Sequence, residues 1–337
     1  MQPGFNDADS WRPVVAIPVR NEEERLPALI AALAAQTWGR RTAERLCVSL
    51  VLNNCTDGSL GVVRRTAAAF PEVNLHVTNV TWRSNAHVGR ARRLAMETAI
   101  GLGSQAGPVV VLTTDADAQP EPGWVDATLR SIAAGADAVG GLIIGDPAEE
   151  ALLGPAVLHR AEMNLRYAAL ADQLAALVDP TPHDPWPRHR DHTGASLALR
   201  ADVYRAVGGL PALPFREDLA LVSRLRSGGY RLVHPLDVRV GVSARLNGRA
   251  PGGMADCLRG WIRDEADGRP HLVEDPDAIL ARLRMRRALR DGSPGATSRI
   301  ETLAADDPDA PGVVPVMDAI ARISDMIVQT EILENAA

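Results

Sequence analysis

Short apolar runs that each hand over to an amphipathic helix fill the first half of this chain, and that alternation limits the fold more than any other feature. Residues 14–18, 48–52, 73–80 and 109–112 are strand-sized runs rich in Val, Leu and Ile. Between the first two, Leu26, Leu29, Ile30 and Leu33 recur at helical spacing within residues 22–36. Further helices are predicted running towards Phe70, over 88–102 and over 122–134, and a fifth strand over 136–144. Strand and helix alternating in this way predict an α/β fold with a mainly parallel sheet and helices on both faces. In such sheets a ligand sits beyond the carboxyl ends of the strands. Chemistry is therefore expected in the polar residues that follow each run.

Past Pro147 the pattern changes. Residues 149–178 read as helical, 179–192 as a loop rich in proline and histidine, 196–200 as a short strand, 216–228 as a helix and 231–242 as a strand. Beyond 251 the chain is helical, with polar breaks at 264–270 and 291–298 and a linker at 306–312 before a last helix over 313–333. The expected division is a domain over 1–250 and a helical C-terminal extension over 251–337. Met317, Ile320, Ile323, Met326 and Ile327 form a stripe on the last helix, either intramolecular core or the contact of a homodimer through the C-terminal helices.

Composition removes several classes. No apolar run approaches the length of a membrane span, and the first residues carry no basic stretch followed by an apolar one, so a cytoplasmic protein with no transmembrane segment is expected. A net charge of −6 argues against a nucleic-acid partner. All 36 basic residues are arginine. With no lysine, none can act as Schiff base, phosphate clamp or general base. The cysteines at 47, 55 and 257 are too scattered for a metal or redox motif.

The polar clusters fall where the topology places a ligand. Arg20–Glu23 follows the first run and also fits a helix N-terminus, where carboxylates are favoured. Asn53–Ser59 follows the second and fits either a capped turn or a hydrogen-bonding site for a base. Asn85–Arg93 opens a helix, with Arg90 favoured among its arginines for a diphosphate at the helix N-terminus. Asp115-Ala116-Asp117, a D-x-D directly after 109–112, puts two carboxylates at the end of a buried strand. Burying them unpaired is costly, and a divalent cation, Mg²⁺ or Mn²⁺, bridging them to phosphate oxygens offsets that cost. Glu217-Asp218 opens another helix, where Asp218 is either a dipole-favoured residue or a general base for an acceptor hydroxyl.

Together these pieces resemble family 2 glycosyltransferases of the GT-A fold. The matching segments are residues 15–22, 53–59, 115–117, Gly194-Ala195-Ser196-Leu197 with Gly208-Gly209, and Glu217-Asp218, in the family's order over roughly 13–245. The resemblance implies a nucleotide-sugar half over about 13–145 and an acceptor half over about 146–250. It implies that Pro18, Arg20 and Glu22 line the nucleotide pocket, with Asn53 and Asp57 near the base. Asp115 would contact the ribose or a metal-bound water, Asp117 would hold the metal, and His234 would complete its ligands. Asp218, in the motif with Glu217, would be the base of an inverting enzyme. The donor would be a nucleotide sugar, UDP-linked in the favoured case and GDP-linked in the other, and Arg245 and Arg249 would close over it.

Two departures stand out. The family's second motif is usually rich in aspartate, whereas here it begins Asn53-Asn54, and the Q-x-x-R-W motif of processive synthases is absent. A single sugar addition is therefore expected. The alternatives are a retaining enzyme similar to the glucosyl-3-phosphoglycerate synthases and a non-catalytic nucleotide-sugar-binding protein. A nucleotidylyltransferase would need a glycine-rich basic loop after the first run, and residues 17–21 contain no glycine.

Overall fold

The computed structural model describes residues 7–104, 107–248, 252–292 and 312–335. In chain order its elements are β1 (Arg12–Val19), α1 (Leu26–Ala34), α2 (Thr37–Thr42), β2 (Leu46–Asn53), α3 (Ser59–Ala69), β3 (Val73–Val80), α4 (Val88–Gly103), β4 (Val109–Thr113), β5 (Ala118–Pro120), α5 (Trp124–Ala133), β6 (Ala138–Gly140) and β7 (Leu142–Gly145). They continue with α6 (Pro147–Glu150), α7 (Pro155–Val178), β8 (Leu197–Arg200), α8 (Ala201–Ala206), α9 (Glu217–Ser227), β9 (Leu232–Val233) and β10 (Arg239–Val242). The last are α10 (Met254–Ala266), β11 (Leu272–Glu274), α11 (Pro276–Gly292), β12 (Val313–Pro315) and α12 (Val316–Asn335).

The chain forms two compact units, one of residues 1–146 and 190–253 and the other of 147–189 and 254–337. The first holds a seven-stranded sheet in the order β3-β2-β1-β4-β8-β6-β9. All its strands run the same way except β8, which is antiparallel to both β4 and β6. Alternate residues of the central strands feed two cores. Val15, Ile17, Leu50, Leu52, Val110 and Leu112 pack with α1 and α5 on one face. Val14, Ala16, Val51, Val109 and Val111 pack with α4 and α9 on the other. Coverage on both faces is why these strands read as continuous apolar runs rather than as alternating ones.

Several boundaries differ from the sequence expectation. The helix expected from residue 22 starts at Leu26, because Asn21 is left-handed (φ 54°) and residues 22–25 make a turn. The strand expected over 136–144 is two strands in different sheets: β6 joins the large sheet, while β7 joins a three-stranded sheet β5-β10-β7. Glycines permit the crossing. A Cβ on Gly140 would lie 2.3 Å from the Asp191 carbonyl and one on Gly141 1.9 Å from the Ser196 hydroxyl. The strand expected over 231–242 is likewise β9 and β10, separated by the segment around Pro235. The last helix starts at Val316, after the strand β12.

In the second unit, α7, α11 and α12 bury Met163, Tyr167, Leu174, Ile279, Leu283, Ile320, Ile323 and Ile327 in one cluster, and β11 pairs with β12. The expected boundary at 250 thus misses that residues 147–189, assigned to an acceptor half, pack with the C-terminal helices. The stripe on α12 supplies this core through Ile320, Ile323 and Ile327, while Met317 is exposed. Among the described residues no helix is long and apolar enough to cross a membrane.

Candidate active site

All the singled-out clusters lie in the first unit. The turns after β1 and β2 are locked together. Ser59 Oγ accepts from the Glu22 N–H at 2.9 Å, Asp57 Oδ2 from the Glu23 N–H at 3.0 Å, and Glu23 Oε2 from the Gly58 N–H at 2.7 Å. Partial burial raises the Asp57 pKa, but hydrogen bonds from Ser59 and the Glu23 N–H outweigh it and hold the carboxyl below its ordinary value. Asn21 and Asn54 both adopt left-handed backbone, which asparagine tolerates. Asn54 braces the third loop by exchanging hydrogen bonds with the Trp82 backbone at 2.9 and 3.0 Å.

Beyond β4, Asp115 and Asp117 project from the strand end. The buried Arg92 of α4 reaches Asp115 Oδ1 at 2.6 Å, Glu217 Oε1 at 3.1 Å, the Gly194 carbonyl at 2.8 Å and Thr113 Oγ1 at 2.9 Å. One guanidinium therefore joins the D-x-D after β4 to the start of α9. Burial opposes the Arg92 charge, but Asp115, Glu217 and Asp218 more than restore it and keep the group protonated. A Cβ at Gly194 would sit 2.5 Å from Arg92 Cζ, so any other residue there would have to displace the guanidinium. Asp218 lies beside this knot, its Oδ2 accepting from the Gly194 N–H at 2.7 Å and its Oδ1 from the Leu219 N–H at 2.8 Å. The neighbouring Arg216 is left-handed (φ 56°), a strained conformation that turns the chain into α9.

On the other side of the D-x-D, Arg245 pairs with both oxygens of the buried Glu22, at 2.7 and 2.5 Å, and with Asp117 Oδ2 at 2.8 Å. Burial and the Asp115 carboxylate raise the Asp117 pKa to about 6 against the pull of Arg245.

The structure distributes the expected residues unevenly. Glu22, Asp115, Asp117 and Glu217 converge through the two arginines, and Asp218 joins them through the Gly194 N–H. Pro18 is buried within β1, which pairs with β4 only as far as Ala16, so the ladder on that side has already ended where proline occurs. Arg20 is exposed and donates to the Ala86 carbonyl at 3.0 Å. Asn53 is 2% exposed, and its Oδ1 has no hydrogen-bond partner among the described residues, so it faces protein rather than an open base pocket. Arg90, favoured for a diphosphate, instead lies over the Trp82 ring at 4.1 Å and donates to the Ser84 carbonyl. His234 is not in a strand. It is buried against His192, with ring nitrogens 3.2 Å apart. Among the described residues no three His, Cys, Asp or Glu side chains gather as metal ligands; Asp117 pairs with Arg245 and His234 with His192. Arg249 lies outside the described residues.

Arg92, which the sequence reading set behind Arg90, is the arginine of its cluster that reaches the Asp115 and Glu217 carboxylates. Its signal was helical phase: Ala95, Met96 and Ala99 stand three, four and seven positions on, so Arg92 belongs to the buried stripe of α4. No local signal pointed from Arg245 to Glu22, which is 223 residues away.

Comparison with solved structures returns several similar folds. The mannosyltransferase PcManGT from Pyrobaculum calidifontis, in complex with GDP-Man and Mn²⁺, is 20% identical, with 97% of this chain and 75% of that one covered and a TM-score of 0.49. TarS 1-349 from S. aureus, in complex with UDP, is 16% identical over 85% and 73%, with a TM-score of 0.48. Glucosyl-3-phosphoglycerate synthase from Mycobacterium tuberculosis, in complex with phosphoglyceric acid, is 15% identical over 80% and 87%, with a TM-score of 0.43. No curated protein sequence matches the chain. The family model described as glycosyl transferase family 2 matches residues 14–183, half of the chain, from β1 through the D-x-D and into the second unit. The chain belongs to glycosyl transferase family 2.

Proposed function

We propose that this protein transfers a sugar from a nucleoside-diphosphate donor to an acceptor hydroxyl with inversion, and that Asp218 is the general base. The observation that carries the proposal is the Arg92 knot, which brings the start of α9 to the D-x-D after β4. Asp218 would take the acceptor proton as the acceptor oxygen bonds to the anomeric carbon. The bond from that carbon to the diphosphate oxygen breaks, and the nucleoside diphosphate leaves with the electron pair. The two backbone N–H donors on Asp218 fix the orientation of its carboxylate, which is what proximity catalysis requires. Glu217, which shares the motif with Asp218 and was expected beside it in catalysis, is buried against Arg92 and becomes a positioning residue.

Donor phosphates are expected near Asp115 and the loops after β1 and β2. A UDP-sugar is the first donor to test and a GDP-sugar the second. Beside Asp117 the positive charge is supplied by Arg245, 2.8 Å from its Oδ2. A cytoplasmic setting accords with the three free thiols.

The test is transfer from UDP- and GDP-sugars to a panel of hydroxyl acceptors, with the product anomer read by NMR. An inverted product is expected, with turnover of Asp218→Asn lower by about 10²–10⁴-fold and nucleotide affinity unchanged. A product of retained configuration, or an Asp218→Asn enzyme as fast as the parent, would remove Asp218 as the base.

A further inference from the structure

We propose that Arg245 is a built-in counter-cation for the donor diphosphate, standing where a divalent ion was expected, so that nucleotide binding by this chain needs no metal. The inference rests on the nucleotide-donor reading above.

Three observations carry it. The Arg245 guanidinium bridges a carboxylate after β1 to one after β4, touching Glu22 at 2.5 and 2.7 Å and Asp117 at 2.8 Å. A metal held by the D-x-D would compete with the guanidinium for the same oxygen, Asp117 Oδ2. The backbone holds the arginine there. Strand β10 pairs with β5 with Val242 opposite Ala118, so the segment 243–245 leaves its strand beside the residue that follows Asp117. His234, expected to complete the ligand set, packs on His192 instead. Among the described residues no three-ligand group is assembled.

The chemistry suits the assignment. An arginine is charged at every relevant pH, and its fork matches phosphate oxygens in a bidentate way. In a chain without lysine, arginine is the one permanently cationic side chain for this purpose. A diphosphate entering beside Asp117 would exchange a carboxylate contact of Arg245 for a phosphate contact. The carboxylates would hold the guanidinium in register before the donor arrives, so that little ordering remains to be done on binding.

Calorimetric titration of the full chain with UDP and GDP, once in EDTA and once in excess Mn²⁺, tests this directly. Dissociation constants agreeing within about threefold between the two conditions are expected. Arg245→Gln is expected to weaken UDP by about tenfold or more, equivalent to roughly 1.4 kcal/mol, while leaving uridine, which has no phosphate, unaffected. Mn²⁺ titrated alone and followed by EPR should stay free with the parent protein.

Nucleotide binding that appears only with Mn²⁺ overturns the proposal and leaves the donor reading standing. Absence of nucleotide binding under both conditions, in folded protein, overturns both. Undiminished UDP affinity in Arg245→Gln also overturns the proposal. Should that variant melt early because Glu22 is left without its partner, Arg245→Lys keeps a charge but loses the fork, and the EDTA comparison on the parent protein decides by itself.

Discussion

Arg92 and Arg245 flank the same D-x-D and pair with carboxylates on opposite sides of it, yet they are supported differently. Arg92 sits on the buried stripe of α4, with 4% of its side chain exposed, and spends its donors on Asp115, Glu217, Thr113 and a backbone carbonyl. Arg245 sits in the segment after β10, is 17% exposed, and pairs with Glu22 and Asp117. A charge locked into a helix within the core sets the geometry of its neighbours. One at the end of a strand can change partners when an anion arrives. The contrast teaches that one side-chain type can serve two tasks, holding the site together and, in the reading proposed above, receiving the donor.

Breaking the first of these should have the largest effect. Arg92→Leu leaves Glu217 buried without its cation and Asp115 without its partner. Losing one member of a buried pair costs about 3–5 kcal/mol, so chemical denaturation should show a drop of that order and transfer should vanish. A variant as stable as the parent would make Arg92 no more structural than Arg245. Gly194→Ala probes the same knot more gently. The added methyl must displace the Arg92 guanidinium, and overpacking of this kind costs about 1–3 kcal/mol. A thermal melt unchanged from the parent would show that the knot has slack.

On the other side, the Asp117 carboxyl gives a readout in pH. Its folded value of about 6 exceeds the ordinary 3.8, so the folded chain binds this proton more readily than the unfolded one. The destabilising contribution is fully present above pH 6 and is relieved as pH falls towards 4. The stability difference between the parent and Asp117→Asn should therefore change across that window and be flat above it. A flat difference throughout would mean that Arg245 neutralises Asp117 fully. The smallest effect is expected from Arg90→Ala. It removes a cation–π contact with Trp82 worth roughly 0.5–1 kcal/mol at an exposed site and should leave UDP affinity alone. A large loss of affinity would return Arg90 to the diphosphate site and weaken the case for Arg245.

Much of the frame was legible without coordinates. Strand runs of Val, Leu and Ile, with helices at 3.6-residue spacing between them, determined the parallel sheet, because a strand covered on both faces must be apolar throughout. The order of motifs along the chain determined the family resemblance, and the position of Asp115 and Asp117 after a buried strand marked the candidate site. Tertiary structure alone decided which charges meet. Helical phase could have singled out Arg92, but its partner Glu217 lies 125 residues away. Whether Arg20, Arg90, Arg92 or Arg245 faces the D-x-D depends on sheet order and strand register, above all on β8 running antiparallel between β4 and β6 and on β10 pairing with β5. The grouping of residues 147–189 with the C-terminal helices escaped the sequence for the same reason. Periodicity reports which face of an element is buried, and says nothing about which distant element buries it.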